Sequence, residues 1–549
     1  MAKTWNPALP DGFNARISDY RIFNQNGKLT YSLRTSNTNI TLPVEVVMGG
    51  ERHGLGFLAK MGQIGDLPLA RPALIQARYF WSFKQGALVE APGLPENQPP
   101  SLESGLGLVL SPAFEKKCLV CHGEPHTLGA GNQGGVRCET CHGPGSQHLA
   151  GGAILNPGKL APGQSIAICA QCHAGFGRHI DPEPGDLLIA NQVQALQTSE
   201  CFIQSRGSFS CTACHNPHED ARGDETAAIR ACLSCHSEKI ARHAAICPVN
   251  ASSGCIGCHM PSVNVGPLRL VDHQIRVHPE QNVTARNAGL RSTITPVREF
   301  LRVIRTEQRE KILQAERELK TGKPFYHVAR AFSADETAAI GGYWGEKNLP
   351  DLDPALAKLD YGELSGIVQA RGEYYLVQRL PRDFKWQAAQ IQREAEALHS
   401  IEKSQEALRI YPHYLRALRF IGTTLAQDGN PQRAAAVLTL TNRLYPDDAV
   451  TLFTLGVVLG QLHQTHEEID TYRRVLKLEP DFVAAYSQLG IALDTAGDYT
   501  ASVEILRQGL QVDPLSAELY EDLSTALTHQ GNAAEAKQSA ALAARLTLQ

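Results

Sequence analysis

Six short cysteine–histidine motifs dominate the middle of this 549-residue chain. In each motif two residues separate a pair of cysteines, and a histidine directly follows the second cysteine. The motifs occupy residues 118–122, 138–142, 169–173, 211–215, 232–236 and 255–259. All 14 cysteines lie between Cys118 and Cys258, which indicates one concentrated chemical site and no dispersed disulfide framework. Because about 24 residues serve each motif, too little polypeptide remains for a conventional hydrophobic core. Whatever the motifs bind must therefore form much of the core.

The motif spacing predicts covalently attached c-type haem. Two cysteines three positions apart can form thioethers with the two vinyl groups of a haem, and the adjacent histidine can then ligate the iron. Zinc knuckles and a thioredoxin-like redox pair are the alternatives. Neither requires a histidine directly after the second cysteine of each pair. The predicted cofactors are six covalently bound haem c groups. Their attachment residues would be Cys118, Cys121, Cys138, Cys141, Cys169, Cys172, Cys211, Cys214, Cys232, Cys235, Cys255 and Cys258, with His122, His142, His173, His215, His236 and His259 as proximal ligands.

Histidine must also fill most of the sixth coordination positions, since the chain has only four methionines. We favour His148, His179, His218, His243 and His273 as distal ligands, and His53, His126 and His278 compete for the remaining place. For each of them a surface or hydrogen-bonded role is the ordinary alternative. Ligation by two histidines lacks the methionine that raises cytochrome c potentials, which predicts low-potential electron carriers. An iron with an open sixth position would instead be a candidate catalytic centre.

Two cysteines lie outside the motifs, Cys201 and Cys247. A disulfide between them is the expected arrangement in an oxidising compartment. Free thiols or an iron ligand are the alternatives.

The cysteine-rich region resembles the multihaem cytochromes c related to the cytochrome c554 and hydroxylamine oxidoreductase group, particularly those fused to tetratricopeptide repeats. Four segments carry the resemblance: residues 136–148, 211–218, 255–261 and 272–276. The resemblance implies that His148 and His273 are distal ligands. Relatives also usually begin with a signal peptide and a further haem motif, and this chain has neither.

The N-terminal sequence is relevant to the cellular compartment of the protein. It lacks an apolar stretch of secretory length, and no window of the sequence has the composition of a membrane span. Bacteria attach haem to cysteines outside the cytoplasmic membrane, so we expect a periplasmic or extracellular protein whose leader was removed, truncated or misassigned. A net charge of −4 without a long basic run argues against a nucleic-acid partner.

The pattern of the chain predicts a multidomain α+β protein with four parts. Alternating apolar residues at 27–33 and 42–48 indicate a small β-rich module over residues 1–110. Residues 111–285 form the expected haem-packed cytochrome c domain with little regular structure. A parvulin-like α+β domain is expected over 286–384, and an all-α tetratricopeptide repeat solenoid over 385–549.

The third part resembles the parvulin family of peptidyl-prolyl isomerases. The matching segments are 319–325, 332–335, 341–345 and 359–366, which appear in the order of the family. Parvulins typically carry two histidines in their strands, but the predicted first strand at 299–305 has none, and Tyr374 and Tyr375 occupy the last. Only Asp335 keeps an acidic position. The resemblance therefore implies a binding or docking module with little isomerase activity.

A period of 34 residues marks the last part. Dipeptides ending in proline begin at 411, 445, 479 and 513, and Gly422, Gly456 and Gly490 recur in register, with Ser524 in the fourth place. This period is that of tetratricopeptide repeats, which stack as helix pairs and present a surface to a protein or peptide. Residues 387–410 have the pattern of a degenerate leading repeat. A spacer or dimerisation arm is the alternative role.

Three functions are compatible with this organisation. The leading hypothesis is an exported hexahaem cytochrome that relays single electrons between redox partner proteins and is docked through its C-terminal domains. The alternative is a multihaem oxidoreductase acting on a small nitrogen or sulfur compound at a five-coordinate haem. A third hypothesis, an assembly factor that handles client proteins, leaves six electron carriers without a use.

Overall fold

The computed structural model describes residues 9, 12–34, 39–50, 54–91, 102–122, 138–143, 145–174, 191–205, 207–218, 225–236, 254–265, 268–275, 298–335, 337–338, 341–348, 356, 358–360, 362–381 and 384–547. The chain divides into two compact units. One comprises residues 1–180, 187–290 and 479–549, and the other comprises residues 181–186 and 291–478. None of the helices in the described part has the length and apolarity of a membrane span.

An antiparallel sheet of nine strands forms the N-terminal part of the first unit. The strands are β1 (Asn14–Ile17), β2 (Tyr20–Gln25), β3 (Lys28–Arg34), β4 (Asn39–Gly50), β5 (Gly54–Ile64), β6 (Leu67–Ala77), β7 (Tyr79–Ser82), β8 (Ala87–Glu90) and β9 (Gly107–Val109). Their order is β1-β2-β3-β4-β5-β6-β9, and β7 pairs with both β5 and β8. Strand β3 buries Leu29, Tyr31 and Leu33 on one face, as the period of two predicts. The expected β-rich module is confirmed.

Short helices make up much of the cysteine-rich region. After α1 (Leu102–Leu106), these helices are α2 (Pro112–His122), α3 (Cys138–His142), α4 (Gly145–Leu149), α5 (Pro162–His173), α6 (Gln192–Gln197), α7 (Glu200–Gln204), α8 (Glu225–His236) and α9 (Cys255–His259), followed by the hairpin β10 (Ser262–Val265) and β11 (Leu268–Val271). Five motifs end a helix, and the fourth opens with a 3₁₀ turn at Cys211–Ala213. This is more regular structure than the sequence predicted. One helical turn places residues i and i+3 on the same side, which brings the two cysteines of a motif together.

The parvulin-like part of the second unit is an antiparallel sheet covered by two helices. Its elements are β12 (Arg298–Thr306), α10 (Arg309–Lys320), α11 (Phe325–Phe332), β13 (Tyr343–Asn348), β14 (Val368–Ala370) and β15 (Glu373–Arg379), with strand order β13-β12-β15-β14. Ile304 and Leu376 of the sheet pack against Ile312 and Val328 of the helices, and all four are fully buried.

Paired helices follow in the same unit. They are α12 (Phe384–Ala397), α13 (Ile401–Ile410), α14 (Leu415–Gln427), α15 (Pro431–Leu444), α16 (Ala449–Gln461) and α17 (Thr465–Leu478). The expected helical repeat is confirmed, and α12 with α13 forms its leading pair. The recurrent glycines allow the close approach that their register predicts. A Cβ atom on Gly456 would lie 2.5 Å from Cε1 of Tyr472 on the partner helix.

Replacing Gly456 by alanine should therefore destabilise the α16–α17 pair by about 1–3 kcal/mol, because the buried Tyr472 ring has to move. Gly460 on the same helix is the matched control, since its Cβ would meet only the flexible end of Glu468. Gly460→Ala should be neutral or stabilising by up to about 1 kcal/mol, the helix-propensity gain. Hydrogen exchange of the amides of α16 and α17 measures both. Equal effects of the two substitutions would contradict this packing.

Strand β12 is joined to the leading helix pair by a buried arginine. Arg302 donates to the carbonyls of Arg409 and Ile410 at the end of α13, and burial lowers its pKa to about 10. His413 lies beside this joint, with its ring 4.7 Å from that of Tyr343, and burial lowers its pKa to about 4.

This pKa predicts an acid-sensitive joint. In the unfolded chain His413 takes up a proton near pH 6.5, whereas in the folded chain it does so only near pH 4. Stability is thus fully present above pH 6.5 and falls as the pH drops towards 4, by about 2 kcal/mol for this group. His413→Phe should remove that part of the pH dependence in denaturant titrations at pH 7 and pH 4.5. An identical loss in parent and variant would contradict the assignment.

Four further helices return to the first unit. They are α18 (Val483–Thr495), α19 (Tyr499–Val512), α20 (Ala517–Gln530) and α21 (Ala533–Leu546). Arg71 of β6 donates to the last carbonyls of α19, to Gln511 O at 2.5 Å and to Val512 O at 3.1 Å. The same guanidinium pairs with Glu115 at 2.8 Å, on the helix that leads into the first motif. One side chain therefore joins the sheet, a repeat helix and the first motif helix.

Candidate functional site

Two pairs of histidine rings face each other in the cysteine-rich region. His142, the histidine of the second motif, lies with its ring centroid 5.9 Å from that of His218, and the two planes are 10° apart. His215, from the fourth motif, lies 6.0 Å from His273, at an interplanar angle of 32°. Each pair combines a motif histidine with a histidine that the sequence analysis singled out as a distal candidate.

The His142 ring is oriented by the chain that follows it. Its Nδ1 lies 2.7 Å from the carbonyl oxygen of Leu155, and the N–H of Leu155 donates back to the carbonyl of His142 at 3.2 Å. When Nδ1 carries the proton that bonds to Leu155, the lone pair of Nε2 is free to bind a metal. This backbone acceptor was not predicted, because a carbonyl has no signature in the sequence.

The His273 ring is oriented in the same way. Its Nδ1 lies 3.0 Å from the carbonyl oxygen of Val271, at the end of the β10–β11 hairpin. The N–H of the neighbouring Asp272 donates to Pro261 O at 2.9 Å, two residues beyond the sixth motif. Burial lowers the pKa of His273, which favours the neutral ring that a metal ligand requires.

The spacing of the rings fits a shared iron. Two imidazoles that each bind one metal ion through a nitrogen at about 2.0 Å have centroids about 6 Å apart. Both pairs have that separation. Exposed apolar side chains lie close to the His142 pair in sequence. Leu149, Ile154 and Leu155 are 89%, 48% and 43% exposed, a surface that an apolar macrocycle would cover.

Most of the described motif cysteines lie outside any disulfide. Nine motif cysteines have no disulfide where the structure describes them, and a hydrogen bond between Cys169 and Cys211 raises the pKa of Cys169 and lowers that of Cys211. Cys172 is in a disulfide. A thioether at Cys172 requires that bond to be reduced first. Cys201 is a free thiol 3.5 Å from Ser199 Oγ, so the expected disulfide to Cys247 is wrong for Cys201.

Other predicted site residues lie outside what the structure describes. Nothing is described for His53, His126, His179, His243, His278 or Cys247, nor for the side chains of Cys121, His122, His148 and Cys235. The assignments of those residues stay predictions.

The acidic residue of the parvulin-like part is engaged in its own turn. The carboxylate of Asp335 accepts from Ser333 Oγ at 3.1 Å and from Thr337 Oγ1 at 2.7 Å, and Arg305 lies 3.6 Å away. Strand β12 contains no histidine, as the sequence shows. An acid held this way is poorly placed to polarise a prolyl bond.

We expect the chain to leave prolyl isomerisation near its uncatalysed rate, within about twofold, because the reaction barrier is about 18–20 kcal/mol and strands β12 and β15 contain no histidine. A protease-coupled assay on a prolyl peptide measures the rate, with a histidine-containing parvulin run in parallel. Acceleration proportional to chain concentration, abolished by Asp335→Asn, would contradict the expectation.

Two domain families are recognised in the chain. The PPIC-type PPIASE domain, or rotamase, matches residues 300–380, and the tetratricopeptide repeat matches residues 483–514. Both matches fall inside the ranges expected for those domains, and the domain boundaries themselves stay predictions.

Parts of the chain are similar to individual known proteins. The multiheme cytochrome MtrA of Shewanella baltica is 26% identical over 184 aligned residues, which cover 24% of this chain and 54% of that protein. The chain thus spans about half the length of this curated relative. MamA from Desulfovibrio magneticus is 20% identical, covers 30% of this chain and 92% of its own, and has a TM-score of 0.27. YrrB, a TPR protein with an unusual peptide-binding site, is 17% identical, covers 29% and 82%, and has a TM-score of 0.26.

Proposed function

We propose that this protein is an exported hexahaem cytochrome that passes single electrons between redox partner proteins. The proposal rests on two pairs of neighbouring imidazoles, His142 with His218 and His215 with His273. The similarity to a multiheme cytochrome supports the same class of protein. The narrower relationship to the hydroxylamine oxidoreductase group is part of this proposal.

The residues of the chain have distinct roles in this function. The motif cysteines attach the cofactor, and the paired histidines bind its iron from both faces. When bound, haem supplies an iron that alternates between the ferric and ferrous states. The carbonyls of Leu155 and Val271 hold the Nδ1 protons of His142 and His273, so that each Nε2 keeps its lone pair for the metal. Two neutral nitrogen ligands favour a low reduction potential.

The other domains dock this electron carrier in the proposal. The repeat helices offer a surface for a protein or peptide, and the parvulin-like part acts as a binding module without isomerase chemistry. The chemistry of haem attachment assigns the protein to the periplasm or the cell exterior. Domain ranges of 1–110, 111–285, 286–384 and 385–549 belong to the same proposal.

The test combines haem counting with electron paramagnetic resonance. Protein matured in a haem-loading periplasm should carry six haems by intact mass, and replacing both Cys138 and Cys141 by serine should remove one. Low-temperature spectra of the oxidised protein should show low-spin iron throughout. A chain that matures without covalent haem would overturn the proposal.

The same spectra decide between carrier and enzyme. A high-spin ferric signal in the parent protein would mark an iron without a distal ligand, which is the site that the alternative oxidoreductase requires. The two histidine pairs favour the carrier for the irons of the second and fourth motifs.

A further inference from the structure

One short segment contributes to both histidine pairs. His215 faces His273 and His218 faces His142, yet only Asn216 and Pro217 separate the two histidines of the segment. The segment is held as a turn. It begins with the 3₁₀ turn Cys211–Ala213, the N–H of His215 donates to Cys211 O at 2.9 Å, and Asn216 Oδ1 accepts from the N–H of His218 at 3.1 Å.

The two pairs belong to different motifs. His142 is the motif histidine of the second site, and His215 is that of the fourth. Three residues of extended chain span at most about 11 Å, which limits the distance between the Cα atoms of His215 and His218. The second and fourth sites must therefore be close neighbours. In the sequence, Cys211 of the fourth motif follows His142 of the second by 69 positions.

A separate contact places the third site beside the fourth. Helix α5 (Pro162–His173), which ends in the third motif, contacts the 3₁₀ turn Cys211–Ala213 that opens the fourth motif. The attachment cysteines of the third and fourth motifs therefore lie on elements in contact, which makes these two sites neighbours.

We infer that the haems of the second, fourth and third motifs form a continuous branch in that spatial order, with the fourth in the middle and His215–His218 as its bridge. Electrons that enter at the second or third site then pass through the fourth, and the route does not follow the order of the motifs along the chain. This inference rests on the proposed function and specifies its internal path.

Removing His218 in chains that lack one chosen haem tests the ligand assignment. His218→Ala should give one high-spin ferric iron in the full hexahaem protein, and added imidazole should restore the low-spin state. The same signal should appear when Cys255 and Cys258 are serine, which removes the sixth haem as a matched control. It should be absent when Cys138 and Cys141 are serine, because the iron served by His218 is then missing. Intact mass confirms the haem count of every variant.

Spin relaxation tests the neighbourhood. In the His218→Ala protein the new high-spin signal should relax more slowly once serines at Cys211 and Cys214 remove the fourth haem, and should not change when the sixth haem is removed. His273→Ala should likewise give a high-spin iron at the fourth site, whose signal relaxes more slowly when serines at Cys169 and Cys172 remove the third haem.

Three results would overturn the branch. The first is a high-spin signal of His218→Ala that persists without the second haem. The second is the absence of a high-spin signal in every His218→Ala background. The third is a relaxation rate that does not change when the fourth haem is removed. All three presuppose haem-loaded protein, so they leave the electron-carrier function standing. A parent chain without covalent haem would instead contradict both the branch and the electron-carrier function.

Discussion

A chain produced without haem attachment should be cleaved by protease within residues 138–275 at least about tenfold faster than the haem-loaded protein. In that stretch the described residues bury only five apolar side chains, Ile166, Val193, Ala195, Leu196 and Pro261. So small a core cannot offset the conformational entropy of ordering the segment. Attached macrocycles would supply the missing apolar contact. When cleavage follows local opening, a tenfold change in rate corresponds to about 1.4 kcal/mol of local stability.

Limited proteolysis with mass mapping of the fragments measures this difference. The N-terminal sheet and the helices α14–α17 serve as internal controls, because their cores consist of protein side chains such as Tyr31, Phe57 and Leu438. They should resist equally in both preparations. Equal protection of residues 138–275 with and without haem would show that the cofactor is not the core of this region.

Arg71→Ala should lower the free energy of opening of the first unit by about 3 kcal/mol. The side chain is only 13% exposed, and its guanidinium donates to Gln511 O, Val512 O, Leu110 O and Pro72 O as well as to Glu115. Hydrogen bonds to a charged group contribute about 1.5–3 kcal/mol each, and their loss leaves the carbonyls at the end of α19 without this donor. Arg71→Lys should fall between parent and alanine, since an ammonium cannot reproduce the planar fork.

Arg545→Ala is the matched control at the same surface. Arg545 bonds Asp66 at 2.6 Å and Ile64 O at 3.0 Å, but it is 43% exposed and Asp66 is 82% exposed. An exposed pair of this kind contributes little to stability, because solvent screens its charges. Hydrogen exchange of the amides of β6, α2 and α19 in parent and variants reports the difference. Equal effects of the two alanine substitutions would show that Arg71 does not join the three elements.

Local patterns in the sequence were sufficient for much of the fold. The alternation at 27–33 lies in β3, and the strand expected at 299–305 is β12. The 34-residue period predicted both the helix pairs and the glycines at their closest approach. These features repeat at short, fixed intervals, so a single stretch of chain contains the whole signal.

The disulfide expected at Cys201 failed for a related reason. Pairing two leftover cysteines by subtraction uses no information about distance, and the thiol of Cys201 lies instead beside Ser199 in the turn before α7. The helical turns at the motifs were missed because five residues are too few to show a helical period.

By itself the sequence predicted where cofactors would attach, since the two cysteines and the histidine of each motif lie within five residues of one another. Only the tertiary structure decided which histidines face each other. His142 and His218 are 76 residues apart, and no periodicity relates them. The carbonyls that orient His142 and His273, and the helix end that Arg71 caps, are backbone groups common to every residue. Packing alone selects among such groups, because it brings together segments that are distant in the chain, and the sequence of one segment does not indicate which other segment it contacts.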